Sequence, residues 1–340
     1  MQTNQVILTS QPDAEPYAAN EMNRLGWPAR PVRRLAPGVQ LFDIGERYPD
    51  LCAAWQARPP VFIRHVFPVM GVCPAGDDLA QLIELAAPLC PAVGGGEGCS
   101  VQVQLLPGAP AALTRPVLRQ ALLPLMEAAG GVLEVQRPDW VLSVAVDRER
   151  IYFGLSRAAD NLSCWPGGAC RFAHEPEQIS RAEFKLLEAF DLFHLVLPDG
   201  GHAVDLGAAP GGWTRVLRQR GFTVAAVDPA QLSPSLLTDP GVTHLAMTAQ
   251  QYLRQGPEPC DLLVNDMRMD ALLSASLMGE CRGFLKPGAL AIMTLKLPEK
   301  GAQKRTGQAL ERLSEHYRVR GARQLFHNRS EVTVVLQNNR

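Results

Sequence analysis

The strongest constraint on the fold is an alternation of helix and strand patterns that begins at Ser180 and continues almost to the end of the chain. Short apolar runs typical of buried strands alternate with stretches that have the apolar spacing of amphipathic helices. Strands that alternate with helices predict a parallel sheet with helices on both faces. The last two strand candidates, residues 319–324 and 332–336, are joined by a short loop, so we expect them to be an antiparallel pair.

The first 179 residues lack this alternation and divide into three predicted segments. Residues 1–58 read as a small α+β unit that contains a basic, proline-broken stretch at 27–34. Residues 59–157 form a second α+β unit, which ends in a strand hairpin at 140–154. Residues 158–179 show little periodicity and are expected to be a linker, so residues 180–340 form the α/β domain.

Composition narrows the classes of protein that remain. Hydrophobic residues make up 46% of the 340 residues and charged residues 20%, so a sizeable core is expected and global disorder is not. No apolar run reaches the ~18 residues that a membrane helix needs, and the first residues lack a signal-peptide pattern. We therefore expect a cytoplasmic protein without a membrane partner.

Cysteine spacing and charge exclude further classes. The eight cysteines form no C-x-x-C pair and have no histidine cluster nearby, so neither a metal site nor a disulfide framework is predicted. The net charge of −1 argues against nonspecific coating of nucleic acid, and no DNA partner is expected. A local basic face remains compatible with this charge. Because only five lysines occur, each lysine position is informative.

A glycine-rich turn follows one strand candidate and opens a helix. A dinucleotide site would need G-x-G-x-x-G to hold a pyrophosphate. The spacing here is Gly207-x-x-x-Gly211-Gly212, with Asp205 just before it. An acidic residue suits a cofactor that carries an amine, such as S-adenosylmethionine, and would repel a pyrophosphate. After the next strand, Asp228 can accept both ribose hydroxyls of an adenosine.

Four charged residues are expected at one edge of the predicted sheet. Asp266 and Lys296 directly follow buried strands, Glu331 opens the last strand, and Lys185 lies on the helix before the first strand. Open α/β sheets bind ligands at the carboxyl ends of their strands. A solvated strand-end charge is the alternative for each residue alone, but the set of four favours a functional cluster.

This set of residues suits the methylation of a ribose hydroxyl. A 2'-hydroxyl is a poor nucleophile and must lose its proton as it attacks the methyl group. Lys296 can act as the general base only if part of it is neutral at pH 7, and loss of water together with a second cation at Lys185 would favour that form. Asp266 is expected to steer the cation and the cofactor methyl, and Glu331 to fix Lys185 or the hydroxyl.

Several motifs resemble those of the FtsJ-type ribose 2'-O-methyltransferases with their K-D-K-E tetrad. These motifs are DLGAAPGGW at 205–213, NDM at 265–267, LKLP at 295–298 and RSEVTV at 329–334. The helix at 180–190 is similar to the one that carries the first lysine of the tetrad. More narrowly, LKLP and RQLFHNRSE at 323–331 resemble the RlmM family, which methylates a cytidine ribose in bacterial 23S rRNA.

The resemblance implies an α/β protein with a C-terminal Rossmann-like methyltransferase sheet, mostly parallel with an antiparallel last strand. A ferredoxin-like unit and a THUMP-type RNA-binding domain would precede this sheet, at residues 1–58 and 59–157. The implied cofactor is S-adenosylmethionine. The implied partner is 23S rRNA, either naked or in an assembling large subunit, and the protein would be a monomer or a homodimer.

The resemblance assigns the role of proton acceptor to Lys296, within the catalytic set of Lys185, Asp266, Lys296 and Glu331. The residues and the resemblance together predict these cofactor contacts: Ser180, Asp205, Gly207, Ala209, Pro210, Gly211, Gly212, Trp213, Asp228, Thr248 and Asp266. Two of these positions depart from the family pattern. Ala209 replaces the usual cysteine, and Thr248 stands where an acidic residue near the adenine is expected.

An RNA substrate would need cations for its phosphates and an aromatic ring for its bases. The candidates are Arg30, Arg33, Arg34, Arg64, Arg171, Arg181, Lys300, Lys304, Arg305 and, for stacking, Trp165. Each of them alone is more often a solvated or packed side chain. Two alternatives stay open: an RNA-binding or assembly factor without turnover, and a methyltransferase that acts on a small molecule or a protein.

Overall fold

The computed structural model describes residues 3–76 and 78–339 and separates two compact units between Cys170 and Arg171. This division falls inside the predicted linker of residues 158–179. Met1, Gln2, Asp77 and Arg340 belong to the predicted first, second and last segments and lie outside the described residues. Within the described ranges, no helix is long and apolar enough to cross a membrane.

The first unit begins with a four-stranded antiparallel sheet of order β2-β3-β1-β4. Its elements are β1 (Gln5–Thr9), α1 (Glu15–Asn23), β2 (Arg30–Ala36), β3 (Val39–Asp43), α2 (Tyr48–Ala57) and β4 (His65–Pro68). This β-α-β-β-α-β order is the ferredoxin-like arrangement. Its fourth strand lies beyond the boundary predicted at residue 58, because β4 pairs with the edge of β1 that β3 leaves open.

The basic stretch at 27–34 contains most of the edge strand β2, which the sequence did not predict. Proline is tolerated there because an edge strand has one side without ladder hydrogen bonds. Three predicted phosphate contacts on this strand are paired with carboxylates in the structure, and their role in binding phosphate stays a prediction. The pairs are Arg30 with Asp43, Arg33 with Asp147 and Arg34 with Glu15, at 3.5, 3.6 and 2.9 Å.

The second sheet of this unit has the order β5-β9-β8-β6-β7. Its elements are β5 (Gly71–Pro74), α3 (Ala80–Ala86), β6 (Gly98–Leu105), α4 (Arg115–Ala128), β7 (Val132–Leu133), β8 (Trp140–Val146) and β9 (Arg150–Arg157). Strands β8 and β9 confirm the predicted hairpin. Residues 158–170, which were predicted to be part of the linker, instead belong to the first unit, where Gln102 Nε2 donates to Cys164 O at 2.7 Å.

The second unit is one seven-stranded sheet with helices. The strands are β10 (Gly201–Leu206), β11 (Phe222–Val227), β12 (Val242–Leu245), β13 (Cys260–Asn265), β14 (Leu285–Lys296), β15 (Arg318–Arg323) and β16 (Glu331–Gln337). The helices are α5 (Glu183–Leu192), α6 (Gly212–Gln219), α7 (Pro234–Leu237), α8 (Ala249–Arg254), α9 (Ala271–Cys281) and α10 (Ala302–Ser314).

The order of the strands in this sheet is β12-β11-β10-β13-β14-β16-β15. The first five strands are parallel, and β16 is antiparallel to both β14 and β15, which confirms the predicted closing pair. From β10 the chain first adds β11 and β12 on one side of the sheet, and it then returns to add β13 and the later strands on the other side. Ligands of open α/β sheets bind beside such a reversal, at the carboxyl ends of the strands.

Candidate active site

Four charged side chains meet where β13 and β14 end. Lys185 comes from α5, Asp266 follows β13, Lys296 is the last residue of β14, and Glu331 is the first residue of β16. Because β16 is antiparallel to β14, Glu331 lies directly opposite Lys296 in the strand register. The sequence predicted these residues as one cluster, and the structure brings all four together. We call them the charged quartet.

Both lysines of the charged quartet contact both carboxylates. Lys185 Nζ lies 2.9 Å from Asp266 Oδ2 and 2.8 Å from Glu331 Oε2. Lys296 Nζ lies 2.7 Å from Asp266 Oδ1 and 2.9 Å from Glu331 Oε2. The four side chains are between 13 and 22% exposed. The two positive and two negative charges of the quartet cancel. The attraction between them offsets the free energy lost when each charged group is removed from water.

Lys185, predicted as a second cation near Lys296, is paired with both carboxylates in the structure. Burial lowers the pKa of Lys185, but Asp266 and Glu331 together outweigh burial and raise it above its ordinary value. Burial also raises the pKa of Asp266, and the two ammonium groups outweigh that effect and lower it. Lys185 therefore stays charged near neutral pH and holds the two carboxylates around Lys296.

Thr294 belongs to the same network, although the sequence analysis missed it. Its hydroxyl donates to Asp266 Oδ1 at 2.6 Å and accepts from Lys296 Nζ at 2.9 Å. Thr294 is fully buried and lies two residues before Lys296, on the same face of β14. The two-residue period of a strand, which puts Thr294 and Lys296 on the same face, was the one feature of the sequence that could have identified Thr294. The hydroxyl's role depends on Asp266, which arrives from a neighbouring strand.

The predicted glycine turn, residues 207–211, joins β10 to α6 at the same edge. Gly211 has a φ of +112°, and a Cβ there would collide with Leu236. Gly207 has a φ of +75°, and a Cβ there would collide with Met267. Only glycine accommodates this turn. Gly211, the N-cap residue, has no side chain to cap α6, and within the first turn Asp205 accepts a hydrogen bond from the backbone N–H of Thr214.

Asp228 and Ser180, two predicted cofactor contacts, lie beside the glycine turn. Asp228 follows β11 and accepts from the backbone N–H groups of Ala209 at 3.1 Å and Ala230 at 2.8 Å. A carboxylate that accepts two such bonds has further lone pairs for a ligand. Ser180 lies against Gly212, because a Cβ at Gly212 would collide with the Ser180 hydroxyl oxygen.

Two other predicted cofactor contacts have interactions of their own. Trp213 is 3% exposed, and its indole N–H donates to Ala182 O at 2.8 Å. Thr248 forms a capping box with Gln251 at the start of α8, so its hydroxyl is already hydrogen-bonded. These contacts account for both residues within the fold. A direct role of either residue in cofactor binding stays a prediction.

Asp205 lies at the end of β10, beneath the glycine turn. It is 1% exposed and accepts from Thr214 Oγ1 at 2.7 Å. Burial raises the pKa of Asp205 to about 7, against the hydrogen bond from Thr214 and helped by the charges of Asp266 and Asp228. The carboxyl group therefore changes charge near neutral pH. A contact between Asp205 and the ammonium group of the cofactor stays a prediction.

Replacing Asp205 with asparagine is expected to change how stability depends on pH. The pKa of Asp205 is about 7 in the folded protein and 3.8 ordinarily. The stability that this group contributes is therefore fully present below about pH 4, falls as the pH rises, and is lost above about pH 7. An asparagine side chain does not ionise and has no such loss. In urea unfolding, the free energy of unfolding of Asp205→Asn minus that of the wild type should therefore increase by about 1 kcal/mol or more as the pH rises from 5 to 8.

The exposed Asp199→Asn is the matched control for this measurement, and it should follow the wild-type pH dependence. Parallel curves for all three proteins would show that Asp205 is ionised in the folded state throughout this range.

Part of the second unit is similar to a known protein family. Residues 178–301 match the model of the FtsJ-like methyltransferase family. This range contains Lys185, Asp266, Lys296 and the glycine turn, and it ends before Glu331.

Several curated relatives carry the name ribosomal RNA large subunit methyltransferase M, among them the following three. The protein of Pseudomonas savastanoi pv. phaseolicola is 35% identical over 236 residues, which cover 65% of this chain and 63% of the relative. That of Azotobacter vinelandii is 35% identical over 238 residues, 64% of this chain and 65% of the relative. That of Halorhodospira halophila is 37% identical over 183 residues, 50% of each chain. The chain thus spans less than two thirds of the length of these relatives.

Among solved structures, TrmN from Thermus thermophilus is similar over 98% of this chain and 99% of its own, with 16% identity and a TM-score of 0.41. A likeness this distant supports no inference about function.

Proposed function

We propose that this chain, whose residues 178–301 form an FtsJ-like methyltransferase domain, transfers a methyl group from S-adenosylmethionine to a ribose 2'-hydroxyl in 23S rRNA. The expected nucleoside is a cytidine. The observation that carries this proposal is the charged quartet beside the glycine turn. The names of the curated relatives support a ribosomal RNA substrate.

The residues around the turn fit a cationic cofactor. S-adenosylmethionine supplies a methyl group on a positively charged sulfur and also carries an ammonium group. Asp228 and Asp266 bring two carboxyl groups to the strand ends beside the glycine turn, and such groups suit these cations. The uncapped start of α6 suits the cofactor's carboxylate, and Asp228 suits its ribose hydroxyls.

The charged quartet suits an oxygen nucleophile, because a hydroxyl must lose a proton to form its new bond. The 2'-oxygen bonds to the methyl carbon, the electron pair of the carbon–sulfur bond stays with sulfur, and the hydroxyl proton passes to Lys296 Nζ. Lys185 keeps Asp266 and Glu331 in place throughout.

The first 157 residues are proposed to bind the rRNA, through the ferredoxin-like unit, which the pairing of β4 extends past residue 58 to Pro68, and the THUMP-type domain that follows it. In this proposal, residues 171–179 lead from the first unit into the catalytic domain at 180–340. The ferredoxin-like strand order of the first sheet supports the first of these assignments.

The proposed function is tested by incubating the purified protein with labelled S-adenosylmethionine and unmodified 23S rRNA, both free and in large-subunit precursors. Mass spectrometry of the digested RNA should detect 2'-O-methylcytidine. Methyl groups on bases, or only on a protein or small molecule, would contradict the assignment to ribose. Binding of both cofactor and RNA without transfer would favour the alternative of an RNA-binding assembly factor.

A further inference from the structure

A mostly buried ion pair ties the start of α6 to the start of α5. Glu183, the first residue of α5, is 2% exposed, and its Oε2 accepts from a guanidinium nitrogen of Arg215 at 2.7 Å. Arg215 lies in the first turn of α6, has a side chain that is 13% exposed, and also pairs with Glu175. Because Glu183 is almost fully buried, its charge depends on the groups that bind it.

The other carboxylate oxygen of Glu183 holds the backbone that precedes α5. Glu183 Oε1 accepts from the backbone N–H groups of Ile179 at 2.7 Å and Ser180 at 3.2 Å. A carboxylate at the start of a helix stabilises that helix by itself. Here the two oxygens also join different elements, because Oε2 binds α6 while Oε1 binds the segment that carries Ser180. Glu183 therefore fixes the position of Ser180 relative to α6.

The segment that Glu183 holds lies directly against the glycine turn. A Cβ at Gly212 would collide with the Ser180 hydroxyl oxygen and would lie 3.2 Å from Glu183 Cγ. The indole N–H of Trp213 adds another tie, since it donates to Ala182 O at 2.8 Å. Ser180 Oγ accepts from the backbone N–H of Ala182 at 3.3 Å, so its own O–H can donate to a ligand at the start of α6.

We propose that the Glu183–Arg215 pair positions Ser180 so that its hydroxyl donates to the carboxylate of S-adenosylmethionine. This inference rests on the proposed function, which places that carboxylate at the start of α6. Glu183 and Arg215 do not touch the cofactor in this arrangement. They are positioning residues that act through Ser180, so their loss should weaken the binding of the cofactor and leave the binding of RNA unchanged.

A double-mutant cycle tests this role, with the Kd for S-adenosylmethionine measured by calorimetry. Ser180→Ala should raise the Kd about 10- to 100-fold, the equivalent of one lost hydrogen bond to a charged group. Glu183→Ala should raise it by a similar factor. The variant that carries both changes should bind no more weakly than Ser180→Ala alone, because both changes remove the same contact. A residue that only stabilises the fold would not show this coupling.

The fold should survive Glu183→Ala, because Arg215 keeps Glu175 as its partner. If Glu183→Ala does not fold, Glu183→Gln takes its place in the cycle. Glutamine still accepts from the backbone but loses the ion pair, and it should raise the Kd about 5-fold or more.

Glu188→Ala is the matched control on the same helix. Glu188 is 6% exposed and accepts from the backbone N–H groups of Phe326 at 2.7 Å and His327 at 2.9 Å. It therefore makes the same kind of contact as Glu183, but to a loop that precedes β16. Glu188→Ala should lower the free energy of unfolding in urea about as much as Glu183→Ala does, and it should leave the Kd for S-adenosylmethionine unchanged.

Four outcomes would overturn the positioning role. A wild-type Kd in either Ser180→Ala or the Glu183 variant rejects it and leaves the proposed methyl transfer intact. Losses that multiply in the double variant also reject it, since Glu183 would then act independently of Ser180. An equal loss of cofactor affinity in Glu188→Ala rejects it as well, because that result marks general damage to α5. A wild-type protein that binds no S-adenosylmethionine overturns this role and the proposed function together.

Discussion

Asp266→Asn is expected to destabilise the protein by about 3 kcal/mol, because it leaves two mostly buried ammonium groups with one carboxylate. Asp266 accepts from Lys185, Lys296 and Thr294, and no other side chain of the network contacts all three. The pKa of Asp266 is lowered by the two lysines. Its contribution to stability is therefore present above the unfolded-state pKa of about 3.9 and is lost as the pH falls through the lower folded-state value.

Urea unfolding at pH 7, without cofactor, measures this effect. The matched control is Asp261→Asn, at the opposite end of β13, where Asp261 pairs with Lys286 at 2.8 Å. Lys286 is 47% exposed, so the control should cost only about 1 kcal/mol or less. Equal urea midpoints for the two variants would show that the charged quartet contributes no more to stability than a surface pair does.

Lys296→Ala is expected to slow methyl transfer by about 10²- to 10⁴-fold, the usual contribution of a general base. The fold should survive, because Lys185 remains between Asp266 and Glu331. The rate is measured with saturating cofactor, and far-ultraviolet circular dichroism checks the fold. Lys286→Ala is the control, since it removes a lysine from the other end of β14 and should keep wild-type turnover.

A Lys296→Ala variant that methylates RNA as fast as Lys286→Ala would remove Lys296 from the chemistry. The base would then have to be sought elsewhere, although the quartet could still position the cofactor.

The sequence predicted the second unit well because its signals are local. Apolar strands, a glycine turn and charges at strand ends are each read from consecutive residues, and the parallel order brings those ends to one edge. Thr294 could not be assigned in this way, because its hydroxyl acts through Asp266, 28 residues away in the chain. The pairing of Glu188 with the backbone of Phe326 spans 138 residues and leaves no local pattern either.

The first unit was harder to predict for a different reason. Its edge strand β2 is exposed, basic and contains Pro31, so it lacks the alternating apolar pattern by which half-buried strands are recognised. The fourth strand of the same sheet, β4, follows Pro59 and Pro60, which suggested a boundary. Strand pairing across the sheet, rather than local propensity, places both strands.

The most direct test of the role of Lys296 is the single-turnover rate of Lys296→Arg between pH 6 and pH 9. Arginine keeps a positive charge for Asp266 and Glu331 but cannot lose its proton in this range. A general base at this position predicts that the variant still binds RNA and S-adenosylmethionine yet transfers the methyl group at least about 100-fold more slowly at every pH. A Lys296→Arg rate within a few fold of the wild type would contradict proton transfer to Lys296 and leave it a purely electrostatic role.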